Sequence, residues 1–259
     1  MDLGLKGRKA LVCGSSRGLG KACAMALARE GCSVVINGLD PDRLAAAAEE
    51  IRAATGARVT PVRADMNTEE GRAALLAACP EADILVNNNS GPPPGKLDDW
   101  GHAEWLQAIE ANMLAPIFMI KGVLPGMRSR KFGRIVNITS AMVKSPRAHM
   151  GLSTSCRTAL TALSKAVSRD VAVDNVTLNN LLPERIDTDR QKFMAQRMMK
   201  SDGITLEEAR QRMADSLPAK RLGTPEEFGD ACAYLCSAQA GFITGQNIQL
   251  DGGAYNGLM

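Results

Sequence analysis

The sequence predicts a single α/β domain: one doubly wound, mostly parallel sheet of roughly seven strands, flanked by helices and carrying a helical lid. Three observations predict it. Short apolar runs alternate with longer helical patterns. A glycine-rich turn, Gly14-Ser-Ser-Arg-Gly18-Leu-Gly20, follows the first apolar run and opens the first helix. No internal repeat and no linker divides the chain, so residues 1–259 read as one domain.

Residues 9–13 form the first buried-strand run, and a helix follows the glycine turn as far as Arg29. Residues 33–37 are the second strand. Residues 41–54 read as a helix, with Asp40 as N-cap and Pro41 at the first helical position, where its missing N–H costs nothing. Strand 58–63, helix 68–78 and strand 83–87 come next. A long helix is expected over 103–127, a strand over Gly133–Ile138 and a helix over 153–173. Strands 176–181 and 248–250 complete the set. Strands apolar on both faces, joined through helices, belong in a parallel sheet covered on both sides. Residues 188–217 interrupt the alternation with a polar, Met-rich, helical stretch beyond the sixth strand, read as a lid over a substrate. Gly91-Pro-Pro-Pro-Gly95 is a stiff loop on the same edge.

Hydrophobic residues make up 45% of the chain, enough for a large core without disulfide or metal staples. A net charge of +3 gives no argument for nucleic acid or an anionic membrane as partner. No segment is expected to reach the ~18 apolar residues of a membrane span. Seven cysteines with no Cys-x-x-Cys pair read as buried, reduced thiols, and with no leader-like start the expected location is cytoplasmic. His102 and His149 lie far from any cysteine pair, so no metal is expected. The helix over 103–127 is apolar on most faces (Ile109, Met113, Ile117, Phe118, Ile120, Leu124), as is 153–173. Helices apolar all round need cover on two sides, which predicts a homo-oligomer, a tetramer by preference.

The glycine turn can do chemistry. Glycines let a pyrophosphate approach the backbone, and a helix N-terminus offers free N–H groups and partial positive charge. The spacing Gly14-x3-Gly18-x-Gly20 resembles the short-chain dehydrogenase/reductase family, in its β-ketoacyl-acyl-carrier-protein reductase-like branch. Further matches run to the C-terminus: Asp65-Met66 after the third strand, Asn87-Asn88-Asn89-Ser90-Gly91, Asn112, Ser140, Ile243-Thr-Gly-Gln and Asp251-Gly-Gly. The resemblance implies a nicotinamide cofactor held by Gly14, Ser16, Arg17, Gly18, Leu19, Gly20, Asn37, Gly38, Asp65, Met66, Asn88, Asn89, Ser90, Arg157, Pro183, Ile186 and Thr188.

Preference for NAD(H) needs a carboxylate at the end of the second strand, and NADP(H) needs cations there instead. The acidic position falls on Gly38, and Arg17 supplies a base in the phosphate loop, so NADP(H) is expected. Leu39 stands where a second arginine often sits, and Asp40 contests the preference.

The resemblance implies carbonyl reduction by hydride transfer on a small-molecule substrate, with Asn112, Ser140, Ser153 and Arg157 at the catalytic positions. The last two depart from the family, which places Tyr and Lys there, four residues and one helical turn apart. A serine hydroxyl is a poor general acid without a dedicated base, and arginine keeps its charge. His149 and Lys144 are candidate substitute acids. Glu184 follows Pro183 where the family has glycine near the nicotinamide. Three functions stay open: an oxidoreductase with a non-standard proton donor, a cofactor-binding protein with little turnover, and a different reaction on the same scaffold.

Overall fold

The computed structural model describes residues 1–258. Seven strands form one parallel sheet in the order β3-β2-β1-β4-β5-β6-β7. They are β1 Lys9–Val12, β2 Ser33–Gly38, β3 Val59–Arg63, β4 Ile84–Asn87, β5 Gly133–Ile138, β6 Val176–Pro183 and β7 Asn247–Leu250. Helices α1 Gly18–Arg29, α2 Pro41–Thr55 and α3 Glu69–Ala78 connect the first four strands. Expected and observed ends differ by about one or two residues, the usual fraying of helix and strand termini.

The strand order reverses between β1 and β4, so the loops after these strands diverge and leave a crevice at their carboxyl ends. One apolar cluster, including Leu27, Ile36, Ile51 and Phe228, packs on one face of the sheet. A second, including Leu75, Met119, Ile135 and Leu178, packs on the other. The expected N-cap of α2 is present: the Asp40 side chain accepts from the Arg43 N–H.

Between β4 and β5 the chain forms α4 His102–Ile109, a π-helical turn Glu110–Leu114 and α5 Ala115–Ser129. The stretch His102–Ser129 is 28 residues long and apolar enough to cross a membrane by length and composition, which corrects the expectation that no segment would be. In this fold Ala115, Met119, Val123 and Met127 face the sheet and are buried. Helix α6 Gly151–Val171 lies beside it and starts two residues earlier than expected. After β6 come α7 Asp189–Asp202 and α8 Leu206–Asp215, the two helices of the expected lid, then α9 Pro225–Cys236. All seven cysteines are buried and unpaired.

A feature not foreseen runs across the sheet. Asn87, Asn137, Asn180 and Asn247 are register partners on β4 to β7. Their side chains bond in series: Asn87 Nδ2 to Asn137 Oδ1 at 2.9 Å, Asn137 Nδ2 to Asn180 Oδ1 at 3.0 Å, Asn180 Nδ2 to Asn247 Oδ1 at 2.8 Å. Asn137 also donates to Ser164 Oγ at 2.9 Å. Side-chain amides bonded in series pin the register of four strands at the crevice floor.

Candidate active site

The phosphate loop is held by two asparagines. Gly14 N–H donates to Asn37 Oδ1 at 3.1 Å, and Asn88 Nδ2 donates to the Gly14 carbonyl at 2.8 Å. Asn37 is buried and also donates to the carbonyls of Val62 and Ala64, so it braces the loop against β3. A Cβ at Gly20 would stand 2.3 Å from the Gly14 carbonyl oxygen, so the helix can start this close to the strand only with glycine there. Arg17 caps α1 without a side-chain bond, which leaves the first-turn N–H groups open for an anion. Leu19 packs on the core beneath. Thr188, the N-cap of α7, comes within 3.9 Å of the Cβ position of Gly18, so α7 begins beside this loop.

The end of β2 carries no carboxylate and would admit one only if the Ser16 side chain shifted. A Cβ at Gly38 would lie 2.8 Å from both Cβ and Oγ of Ser16. Asp40 is turned into the α2 cap, and that bond to the Arg43 N–H holds its carboxyl below the usual range. Arg63 Nε donates to the Leu39 carbonyl at 3.0 Å. Arg17 stands more than half exposed, its nearest carboxylate being Asp189 at 3.8 Å. Asp65 and Met66 lie just past β3, where Asp65 Oδ1 accepts from the Asn67 N–H and Met66 is buried.

Asn112 occupies the π-turn, which Ala115 N–H closes onto the Glu110 carbonyl. Such turns swing a side chain out of helical phase. Asn112 Nδ2 donates to the Ser90 carbonyl at 3.4 Å, while its Oδ1 and that of Asn87 are buried without a partner. Both residues line a cavity of about 10 Å³ with Asn88, Asn89, Ile138 and Arg157. A polar space near that size suits one water molecule. Ser90 is exposed at the rim, and Asn89 Nδ2 donates to Asn67 Oδ1 and the Ala111 carbonyl. Ser140 lies two residues past β5 and caps a short 3-10 turn, its Oγ accepting from the Met142 N–H at 3.2 Å. Its own hydroxyl hydrogen remains available to a ligand.

Ser153 and Arg157 lie one turn apart on α6. Arg157 Nε donates to Ser153 Oγ at 3.2 Å, Nη1 to the Ile138 carbonyl at 2.6 Å and Nη2 to the Asn89 carbonyl at 3.3 Å. Arg157 therefore ties the ends of β5 and β4 together. Burial first, then nearby Arg190, pushes its guanidinium down to about 10, so it stays charged at neutral pH. Ser153 is 4% exposed, and the Cβ position of Gly91 lies 3.7 Å from its Oγ. The proline loop thus folds over Ser153, further anchored where Gly95 N–H donates to the His149 carbonyl at 3.0 Å and Arg190 Nη2 to the Pro92 carbonyl at 3.3 Å.

The two candidate substitute acids lie on the segment between β5 and α6. Lys144 Nζ donates to Gln249 Oε1 at 3.3 Å and sits over the Tyr255 ring, bracing the C-terminal tail. His149 is exposed. Glu184 is buried at 7% exposure, 3.6 Å from Arg147 and 3.7 Å from Arg185. Burial pushes its carboxyl up, against the pull of both arginines. Pro183 ends β6 and Ile186 is buried, bridging to Gly223. Sequence reasoning missed the pairing of Glu184 with Arg147, because the two lie in separate loops with no shared motif.

Comparison with known proteins is consistent throughout. A family model described as enoyl-(acyl carrier protein) reductase matches residues 14–255. The chain is 34% identical over 256 residues to the NADPH-dependent reductase BacG of Bacillus subtilis, covering 97% of this chain and 99% of that protein. It is 30% identical over 263 residues to the 3-oxoacyl-[acyl-carrier-protein] reductase FabG of Aquifex aeolicus, with 98% and 100% covered. The crystal structure of L-sorbose reductase from Gluconobacter frateurii, complexed with NADPH and L-sorbose, superposes with a TM-score of 0.94 at 31% identity, covering 100% of both chains.

Proposed function

This chain belongs to the short-chain dehydrogenase/reductase family, and on that premise we propose that it is an NADP(H)-dependent reductase of a 3-oxoacyl-like carbonyl compound, working without a tyrosine proton donor. The observation that carries this reading is the Gly38–Ser16 contact, which closes the carboxylate position beside an intact phosphate loop that bears Arg17. NADP(H) supplies or accepts the hydride when bound. The open N–H groups of α1 would hold its pyrophosphate, Arg17 its 2′-phosphate, and Asp65 with Met66 its adenine.

The chain's own residues bind and orient. Ser140 offers a hydroxyl donor to the substrate carbonyl oxygen. Asn112 and Asn87 offer unpaired acceptors to one water, which gives protons a route past Arg157. Arg157 keeps two of its five N–H groups for a ribose hydroxyl after its three bonds to Ser153, Ile138 and Asn89.

One observation favours the second reading, a cofactor-binding member with little turnover: Ser153 lies buried under Gly91. An NADPH-consumption assay over ketones, keto-esters and quinones separates the two. Turnover of any carbonyl supports reduction; NADPH binding with no turnover across the panel supports the second reading.

The assembly we propose is a homotetramer in the cytoplasm. Ile117, Leu124, Leu163 and Val167 line an open apolar groove between α5 and α6, with Phe118 exposed on the same helix. A second copy of that helix pair would cover the groove. Seven buried free thiols suit a reducing compartment.

A further inference from the structure

A phosphate monoester carries a charge of about −1.5 to −2 at neutral pH, and Arg17 offers a single positive charge to the 2′-phosphate. The end of β2 adds no cation: Gly38 has no side chain, Leu39 is apolar and Asp40 is acidic. A second cation stands on the neighbouring strand. Gly38 and Arg63 are register partners in the β2–β3 ladder. Register partners on adjacent strands lie about 4.8 Å apart, with side chains directed to one face of the sheet. At Gly38 that face is the phosphate-loop face, because its Cβ position meets Ser16.

The Arg63 side chain is turned towards this place. Its Nε donates to the Leu39 carbonyl at 3.0 Å, which draws the guanidinium back across the end of β2. That bond uses one of its five N–H groups. Among the described residues both Nη groups lack a hydrogen-bond acceptor, and no carboxylate comes within 4 Å of the guanidinium. Arg63 is exposed, so a ligand can reach it. The acids around Gly38 and Arg17 are engaged. Asp40 caps α2 through the Arg43 N–H and lies 3.9 Å from the Arg43 guanidinium. Asp189 lies 3.8 Å from Arg17 and 3.7 Å from Lys192. Two Nη groups side by side form the planar fork that matches a pair of phosphate oxygens.

We propose that Arg63 is a specificity-determining residue for NADP(H), sharing the 2′-phosphate with Arg17 across Gly38. This rests on the NADP(H) site described above and not on turnover. Arg17 follows Ser16 in the phosphate loop, and Arg63 approaches from β3, so the two cations flank the position at which a carboxylate would select NAD(H). The cation that Leu39 does not provide at the end of β2 is thus supplied by the next strand.

The experiment is equilibrium binding to the full chain, with two matched pairs that differ only in the 2′-phosphate: NADPH against NADH, and adenosine 2′,5′-bisphosphate against adenosine 5′-monophosphate. The parent should bind the 2′-phosphorylated member of each pair more tightly. Arg63→Gln should cut that preference by about tenfold, the scale of one charge-assisted hydrogen bond, through weaker binding of the phosphorylated member alone. Arg63→Lys keeps the charge but not the fork, and should retain part of the preference. A loss shared equally by both members of a pair would make Arg63 a brace of the β2 end and overturn the proposal. An undiminished preference in Arg63→Gln also overturns it and leaves the NADP(H) assignment standing. A parent that binds both members equally overturns the proposal and the NADP(H) preference together. Because binding is read without turnover, a chain that reduces no carbonyl yet loses its preference on Arg63→Gln supports Arg63 while the reductase reading fails.

Discussion

Arg157 Nε reaches Ser153 Oγ at 3.2 Å, yet the guanidinium makes its shortest bond elsewhere, to the Ile138 carbonyl at 2.6 Å, and a third to the Asn89 carbonyl at 3.3 Å. The family resemblance implies that this residue binds cofactor. The geometry makes it a clamp between two strand ends as well. Arg157→Ala leaves the buried Ile138 carbonyl and the half-buried Asn89 carbonyl without this donor, so stability should fall by about 2 kcal/mol. Urea unfolding of the chain without cofactor measures this directly. An unchanged midpoint would show that the clamp is not structural.

Gly38→Asp should reverse the cofactor preference. The new side chain must displace the Ser16 side chain, and once seated its charge would oppose a 2′-phosphate while accepting from a ribose 2′-hydroxyl. NADP(H) affinity should drop by about tenfold or more relative to NAD(H). Fluorescence titration with both cofactors reads the ratio, and an unaltered ratio would mean that Arg17 alone sets the preference.

Glu184 makes stability depend on pH in a defined direction. Burial raises its carboxyl above the unfolded value, so the folded state binds the proton more tightly. Its contribution is greatest below the ordinary carboxylate range and is lost as pH rises through the raised value. Glu184→Gln removes that dependence, and the Tm profile should flatten from the ordinary carboxylate range upward. A variant profile parallel to that of the parent would place the pH dependence in other groups.

How much of this was legible beforehand follows from the range of each signal. The strands, the α2 cap at Asp40 and the phosphate loop are local: alternation, Pro41 and three glycines announce them within a few residues. The departure at Ser153 and Arg157 was legible because the register around it held. The surroundings of that pair were not. The Gly91 turn over Ser153, the Arg147–Glu184 contact and the asparagine chain across β4 to β7 each join residues far apart in sequence. Pro116 was the one local hint of the π-turn at Asn112, since it removes an N–H from the helix ladder. Nothing near Lys144 in sequence reveals its partners Gln249 and Tyr255.

The groove between α5 and α6 should govern assembly. Leu124→Glu together with Val167→Glu replaces apolar side chains by carboxylates on both of its walls. Light scattering at micromolar concentration should show the parent as an oligomer and the variant as smaller species. A parent already monomeric would refute the proposed tetramer.

The Ser153→Tyr/Arg157→Lys pair tests whether proton supply limits the site. A phenol has a pKa of about 10 and can be drawn lower by a cation one turn away, so it donates a proton far more readily than a serine hydroxyl. Lysine carries three donors, enough to keep a bond to Ile138 or Asn89 while facing the new phenol. Space is the main demand: the Cβ position of Gly91 is 3.7 Å from Ser153 Oγ, so the proline loop must lift to admit the ring. Its anchors, the Gly95–His149 and Arg190–Pro92 bonds, are single contacts at 3.0 and 3.3 Å, which a loop can exchange for water. Carbonyl turnover should then rise by about 10²-fold or more, the scale of one general acid. NADPH binding and thermal unfolding serve as controls for folding. A double variant that folds and binds NADPH yet turns over no faster than the parent would mean that proton delivery is not the limiting step. The restriction would then lie with the buried Glu184, the α7–α8 lid, or a reaction that needs no strong acid.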